Sequence, residues 1–527
     1  MVSPRSTPDR MNRMWPDFLD CERVSLPSNV AVYRVVVDAH HWSWAADALH
    51  EAGADLLALW GSDDCDRDQC FRIRATYLLP DRVVLIEHAM PVESPIYPSL
   101  ASRFPVADRL QRAVYDLLGI QAEGGDSRPW LRHGGWPEQV FPLRRDIGSA
   151  QTYPTRGTPY PFVQVTGDGV HEVAVGPVHA GVIEPGRFHI SVVGEKVLRL
   201  EERLGYTHKG IAKRFETLAQ LDGHRLAARV SGDSTVAFGW AYCAALESIA
   251  SVMLPPRAAA LRALALERER IANHLGDLGA LGNDAGFAFG LTQFSSLKEQ
   301  LLRHNAEIFD QRYLFDFVVP GGVASDLPVR AMPTLLRENA ALEGAVRELR
   351  AIYAHHEGLQ DRFLGAGQLT PDQAKKKGAI GLAARASGIG RDIRIDQPWA
   401  PYDRLGPVLA MRSEGDVAAR VQVRFEEVLE SLRLCGQLLE TLPDGSIRSE
   451  LSNGPAGQLG LGLIEGWRGP VMVALETGPD GGIRRCHTHD PSWQNWPLIE
   501  VAILGNIVPD FPLINKSFNL SYSGHDG

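Results

Sequence analysis

Between residues 123 and 165 the chain has no pattern that could continue a helix or a strand. The run EGGDSRPWLRHGGWPEQVFPLRRDIGSAQTYPTRGTPYPF is rich in Gly, Pro, Arg and Trp, and its Gly and Pro break helices and interrupt sheet ladders. It reads as a long connecting arm rather than a core element, with the next domain beginning near residue 160. The arm splits the 527 residues into a small first part and a large second part, within the roughly two to four domains that such a length allows.

Residues 1–27 read as an N-terminal tail and residues 28–122 as a small α/β domain. N-V-A-V-Y-R-V-V-V and R-V-V-L-I-E-H are β-branched runs of strand length. H-W-S-W-A-A-D-A-L-H-E-A-G has helical spacing and is closed by Gly53. L-L-A-L-W and F-R-I-R-A-T-Y-L-L are strand-like, and the polar G-S-D-D-C-D-R-D-Q-C between them predicts a hairpin turn. Cys65 and Cys70 flank that turn at a spacing that would suit half a metal site. The stretch from Ser99 to Gly119 predicts a second helix, with Leu110, Val114 and Leu117 on one face and Gly119 as its stop.

After the arm, residues 166–527 read as a mainly helical domain with small β segments at its start and near its C-terminus, so the fold class is α+β. H-E-V-A-V-G-P-V-H-A-G and R-F-H-I-S-V-V-G-E are the opening strands. In A-L-A-L-E-R-E-R-I-A-N-H-L-G-D-L-G-A-L, one stripe holds Leu264, Ile271, Leu275 and Leu278, while Glu267, Arg270 and Asn273 turn elsewhere. From about Asp416 to Glu440, Val421, Phe425, Val428, Leu432, Cys435 and Leu439 alternate by four and three, the pattern of a long packed helix. Cys435 on that stripe reads as a small buried apolar residue. Near the C-terminus, G-P-D-G-G joins two strands.

Hydrophobic residues make up 44% and charged residues 22%, ordinary for a globular protein with a sizeable core. The net charge of −10 argues against a nucleic-acid surface, because phosphate binding needs a basic face. No run reaches the roughly 18 apolar residues of a spanning helix, and the N-terminus lacks the apolar core of a signal peptide. Six scattered cysteines form no disulfide framework and point to a reducing cytoplasm. C-H-T-H-D at residues 486–490 has no second cluster to complete a tetrahedral zinc set. A metal site rebuilt from Cys486, His487 and His489 is thus the remotest functional reading. Q-L-G-L-G-L-I-E-G lacks the strand–turn–helix setting of a dinucleotide fingerprint, and no nucleophile elbow is present.

Several segments share one order. G-P-V-H-A-G-V-I-E-P-G-R-F-H-I comes first, then G-Y-T-H-K-G-I-A-K-R-F-E, then R-V-S-G-D-S-T-V-A-F-G-W-A-Y-C from Arg229 to Cys243. E-R-E-R-I-A-N-H-L-G-D-L-G, V-V-P-G-G-V and E-G-W-R-G-P follow, and the chain closes with P-L-I-N-K-S-F-N-L-S-Y-S-G-H-D-G. Together they resemble the large subunit of membrane-bound, energy-converting nickel–iron hydrogenases and its relative, the 49-kDa subunit of respiratory complex I. The first domain and the W-P-E-Q-V-F-P-L-R-R-D arm are similar to the complex I 30-kDa subunit, fused ahead of it.

In that family of hydrogenases two Cys-x-x-Cys pairs hold nickel and iron. Their positions here are Ser231, Ser234, Ser521 and Gly524. Hydroxyls do not replace soft thiolates for such metals, so the resemblance implies a hydrogenase-like body without the hydrogenase reaction. The chain also stops near the point where the hydrogenases lose a C-terminal extension after metal insertion.

Glu184 matches a hydrogenase glutamate near the metal, His179 resembles a residue shared by both branches, and Arg468 matches the arginine over the metal pocket. Asp233 lies between two former ligand positions. The quinone-anchoring tyrosine of complex I has no counterpart around Gly232. If the fold gathers His179, Glu184, Asp233 and Arg468, they would form a buried ionisable network, read either as a functional site or as an ion pair left by ancestry. His208 reads as support for the fold or a partner surface.

The resemblance implies a peripheral subunit on the cytoplasmic face of a membrane, anchored through its partners. Those would be a small iron–sulfur subunit, which carries the cluster, and membrane-embedded antiporter-like and quinone-channel-like subunits. No cofactor is expected in this chain; a quinone is a candidate ligand, and NAD enters only through the wider complex. Two readings of the role stand side by side: an electron-transfer subunit at the end of an iron–sulfur path, coupled to proton movement, or a non-catalytic coupling subunit with a filled-in site.

Overall fold

The hairpin expected around the Cys65–Cys70 turn is the spine of the first unit. The computed structural model describes residues 24–147, 159–180 and 183–527, so most of the N-terminal tail with Cys21, and arm residues 148–158, lie outside the described residues. The first unit comprises residues 24–26, Ala31–Pro129 and 136–147. Its sheet runs β1 (Val24–Ser25), β2 (Val32–Val37), β5 (Val83–Pro91), β4 (Cys70–Leu78), β3 (Asp55–Asp64). β3 and β4 pair antiparallel, whereas β2 and β5 pair parallel from Val32↔Val83 onward.

Helix α1 (Ala39–Glu51) makes that parallel connection possible. Asp38 caps it by accepting from the His41 amide at 2.9 Å, and Trp42, Ala45, Ala46 and Leu49 are buried. Cys65 and Cys70 stay free thiols at the hairpin end, and burial pushes the Cys65 thiol up to about 12. The second helix is shorter than its sequence pattern: α2 spans Ala107–Leu118, and the residues before it form turns. Pro105 disfavours helical backbone at Phe104, so the helix starts only beyond it. Gly119 ends α2 in the left-handed region, as expected.

The second unit comprises Pro27–Val30, Trp130–Gly135 and residues 159–527. It opens with an antiparallel sheet, β6 (Val170–Val175), β7 (Arg187–Val193) and β8 (Lys196–Arg203). Helix α3 (Thr235–Ile249) is buried on every side except at Ser248, the mark of an element enclosed in a core. It packs against α4 (Pro256–Asp284), which in turn packs against α5 (Ala288–Phe309) and α7 (Val417–Glu440); α6 (Met332–His355) lies on α7, with shorter helices between α6 and α7. The stripe from Val421 to Leu439 on α7 is buried as its spacing predicts.

The polar residues of α4 turn away from the apolar stripe, yet most of them do not reach solvent. Glu267, Arg268, Arg270 and His274 are all buried. Glu267 meets Arg394 at 3.0 Å, Tyr402 Oη at 2.6 Å and Ser431 Oγ at 2.6 Å. Arg270 donates to the carbonyls of Glu465 and Gly466 at 2.7 and 2.9 Å, and His274 pairs with Glu427 at 2.7 Å. A buried charge is tolerable only when paired in this way.

The C-terminal sheet, β9 (Leu459–Glu465), β10 (Pro470–Thr477) and β11 (Ile483–His489), is antiparallel. The G-P-D-G-G turn joins β10 to β11 as expected. β9 is the strand hidden in Q-L-G-L-G-L-I-E-G, and its glycines are spacers: a Cβ on Gly462 would run into the Ala241 carbonyl of α3. Among the described residues, no helix is long and apolar enough to cross a membrane.

Gly462→Ala therefore forces sheet and helix apart and should cost about 2–4 kcal/mol. Gly436→Ala, in α7 with open space around it, should gain up to about 1 kcal/mol. Thermal unfolding of the two variants checks the contrast; equal midpoints would contradict the close packing.

Candidate functional site

Three chain turns converge beneath one cavity. The first, Ser231–Asp233, leads into α3 and closes with the Ser234 amide donating to the Ser231 carbonyl at 3.0 Å. The second is the β9–β10 connection, which carries Trp467 and Arg468. The third follows α8 (Phe511–Phe518): Asn519 takes the left-handed conformation, and Ser521 then caps the last short turn by accepting from the Gly524 amide at 2.9 Å.

Arg468 ties the three together. Its guanidinium grips Asp233 with two bonds, of 2.8 and 2.5 Å, and donates through Nε to the Asn519 carbonyl at 2.6 Å. It lies 3.9 Å over the Trp467 ring, whose Nε1 donates to the Asp233 carbonyl at 2.8 Å. Asn273 of α4 donates to the same carbonyl at 2.7 Å. Burial works to raise the Asp233 carboxyl, but Arg468, with a further bond from Ser231, holds it below the usual carboxylate range.

The cavity above this pair has a volume of about 660 Å³. His179, Glu184, Asp233 and Arg468, the four residues singled out from sequence, all line it, with Ser231 and Ser521. They do not form one ionisable network. Arg468 is taken by Asp233, which sits two residues from Ser231 and reaches it directly. Glu184 is exposed and accepts from the Ser523 amide at 3.1 Å. His179 faces the Gly186 carbonyl at 2.9 Å. Apolar walls come from Phe188, Phe511, Leu520 and Tyr522, and a further cation from Lys516.

Ser231 Oγ donates to Asp233 Oδ1 at 2.7 Å and lies 2.8 Å from Ser521 Oγ. At Gly524 the space a side chain would take is filled from elsewhere: a Cβ there would sit 2.5 Å from Asp490 Oδ2. Asp490 is fully buried; Oδ1 accepts from the Ser492 amide at 2.8 Å, while Oδ2 has no hydrogen-bond partner among the described residues. Burial raises its pKa, against the opposing pull of Arg468.

Comparison with known proteins decides the family. Residues 284–454 match the family model of the respiratory-chain NADH dehydrogenase 49 Kd subunit, and residues 35–153 match that of the 30 Kd subunit. Formate hydrogenlyase subunit 5 of Escherichia coli (strain K12) is 30% identical over 449 residues, covering 84% of this chain and 79% of that protein. The carbon monoxide-induced hydrogenase of Rhodospirillum rubrum is 31% identical over 351 residues, 66% of this chain and 97% of that one. The chain belongs to the family of the membrane-bound hydrogenase large subunit and the complex I 49-kDa subunit. A chain of the membrane-bound sulfane sulfur reductase, an archaeal respiratory membrane complex, shares the fold. Its TM-score is 0.65 at 22% identity, over 68% of this chain and 99% of that one.

The positions that the sequence resemblance assigns to the metal ligands are where the fit of such a centre is decided. A thiolate-held nickel–iron centre finds hard hydroxyl donors at Ser231 and Ser521, already bonded to each other, and a carboxyl filling the space beside Gly524. That donor set does not fit a soft metal. The Ser234 hydroxyl receives a long contact from Arg468 at 3.5 Å. Cys486, His487 and His489 do not assemble a site either: alternation along β11 sends the sulfur to the opposite face from the two imidazoles. Among the described residues, no group of three or more His, Cys, Asp or Glu is placed to hold a metal.

His208 Nδ1 lies 2.8 Å from the Asp526 carbonyl, beside bonds from the Gly205 and Thr207 amides to the Asp526 carboxylate, so it fastens the C-terminal turn. Sequence reasoning misses Asp490, Trp467 and Asn519. Asp490 ends the C-H-T-H-D run, where the adjacent imidazoles draw attention to zinc and away from a charge closing an apolar strand.

A carboxyl with a raised folded pKa takes stability away as pH climbs above the ordinary aspartate value of about 3.9. Asp490→Asn should thus be more stable than wild type at pH 7, with the gain vanishing below about pH 4. Unfolding midpoints across that range test this; a pH-independent loss would contradict it.

Proposed function

We propose that this chain is the peripheral, electron-accepting large subunit of a membrane-bound, hydrogenase-related oxidoreductase complex that works without a nickel–iron centre. It sits at the end of an iron–sulfur path supplied by a small partner subunit. It is held at the inner face of the membrane by antiporter-like and quinone-channel-like subunits, and proton translocation is coupled to its turnover. Its cavity receives a small oxidised substrate, with a quinone as the leading class.

The observation that carries this reading is the open cavity itself. A relic site would be filled, with Glu184 and Arg468 closed against each other. Instead Arg468 is aimed and neutralised by Asp233, Glu184 stands at an exposed edge, and aromatic walls leave room for a flat headgroup. Arg468 would bind the carbonyl or developing oxyanion of such an acceptor, and Phe188, Phe511 and Tyr522 would enclose its ring. The apolar walls favour a neutral substrate over a polyanion, since Arg468 is neutralised by Asp233 and Lys516 is paired with Asp277 at 3.4 Å. The sequence carries no dinucleotide fingerprint, so NADH would reach the site only through the wider complex.

The test uses the native complex purified through this chain, with its subunits identified. Reduced methyl viologen supplies electrons and menadione accepts them. Arg468→Ala should cut turnover roughly a hundredfold, and Glu184→Gln should lower it by less, with the make-up of the complex unchanged in both. Wild-type rates in both variants would leave the cavity without a catalytic role and restore the reading of a coupling protein.

A further inference from the structure

We propose that Ser231, Ser521 and Ser523 form a hydroxyl relay that carries protons from the cavity mouth to Asp233, for delivery to an acceptor reduced against Arg468. The inference rests on the reading of the cavity as a substrate site.

The three hydroxyls follow one another in a row, with the outermost step the longest. Ser523 Oγ is 3.4 Å from Ser521 Oγ, Ser521 Oγ is 2.8 Å from Ser231 Oγ, and Ser231 Oγ is 2.7 Å from Asp233 Oδ1. Their direction is fixed by what each group can do. Asp233, ionised against Arg468, only accepts, so Ser231 spends its single hydrogen on it. Ser231 must then accept from Ser521. Ser521 already accepts from the Gly524 amide at 2.9 Å, and its hydrogen goes to Ser231, so it accepts from Ser523. Every O–H bond therefore points from the half-buried Ser523 toward the ion pair. Ser523 lines the cavity beside Glu184, whose carboxylate its amide holds at 3.1 Å.

Transfer along this row balances at each atom. Ser231 gives its proton to Asp233 and takes one from Ser521, Ser521 takes one from Ser523, and Ser523 takes one from a hydronium ion in the cavity, which is left as neutral water. Each serine ends neutral, with one O–H bond broken and one formed, and one proton has reached Asp233. The electrons come from the iron–sulfur cluster of the partner subunit, two for each two-proton acceptor. Negative charge growing on the acceptor competes with Asp233 for the charge of the anchored Arg468, which raises the proton affinity of Asp233. The protonated carboxyl is then the donor to the reduced acceptor, and the relay reloads it.

Thiolates committed to metal at these positions could not do this. The substitution that removes a metal site thus builds a proton path between the same two chain segments. The serines are positioning residues, since they act through Asp233.

The relay is tested on the purified complex, with reduced methyl viologen as donor and menadione as acceptor, in water and in D2O. Wild type should show a solvent isotope effect above about 2 with a curved proton inventory, the sign of several protons moving in one step. Ser523→Ala should lower kcat roughly tenfold or more, leave the KM for menadione unchanged and linearise the inventory, while Ser523→Thr should recover the wild-type behaviour. Ser521→Ala should act in the same way, and a fully assembled complex separates that result from a folding defect. Unchanged kcat and isotope effect in both alanine variants would overturn the relay while the substrate site stands. A wild-type complex that does not reduce menadione at all would overturn the substrate reading and the relay with it.

Discussion

The Arg468 guanidinium is the fastening on which the rest of the site depends. It reaches the start of α3 through Asp233, the C-terminal tail through the Asn519 carbonyl, and its own turn through the Trp467 ring. These segments lie far apart along the chain, and only the hairpin turn that carries Arg468 is closed by a strand ladder among the three. A bidentate, ring-stacked arginine is suited to this role, because its planar fork sets both distance and angle. With Arg468 anchored, Ser231 and Ser521 are brought within hydrogen-bond reach, and the cavity has a charged floor.

A site with serine and glycine where the resemblance expects thiolates must do something with the space and the charge. Here those positions are met in two ways. Ser231 and Ser521 keep polar atoms at the cavity wall and bond to each other. Beside Gly524, the buried Asp490 carboxyl occupies the room a side chain would need. The result is a polar, hydrogen-bonding floor beneath aromatic walls. The buried ion pairs along α4 and α7 hold the surrounding bundle in register, so the floor rests on rigid elements.

Much of the architecture is legible in the residues because it follows from period and turn chemistry. The α7 stripe, the β10–β11 hairpin with its G-P-D-G-G turn and the Gly119 helix stop each obey a local rule. Local rules fail where long-range packing overrides them. β9 hides in a glycine pattern because its glycines answer to the carbonyls of α3, not to the strand itself. The sequence pattern starts α2 too early because Leu100 and Phe104 are buried from turns and imitate a helical stripe. At the site, the motif outlines locate His179, Glu184, Asp233 and Arg468 around one cavity. They do not say which acid Arg468 chooses, since that depends on which carboxylate lies nearer in space. Asp490 is invisible for the same reason: only the fold brings the end of β11 against Gly524.

Metal analysis of the native complex tests the central claim most directly, that oxygen donors have replaced the thiolate site while the scaffold persists. Elemental quantification by mass spectrometry, normalised to this chain, should find the iron of a partner iron–sulfur subunit and only trace nickel. One nickel per chain would contradict it, and the cavity would then have to be rebuilt around a metal that hydroxyls and a buried carboxyl are poorly suited to hold.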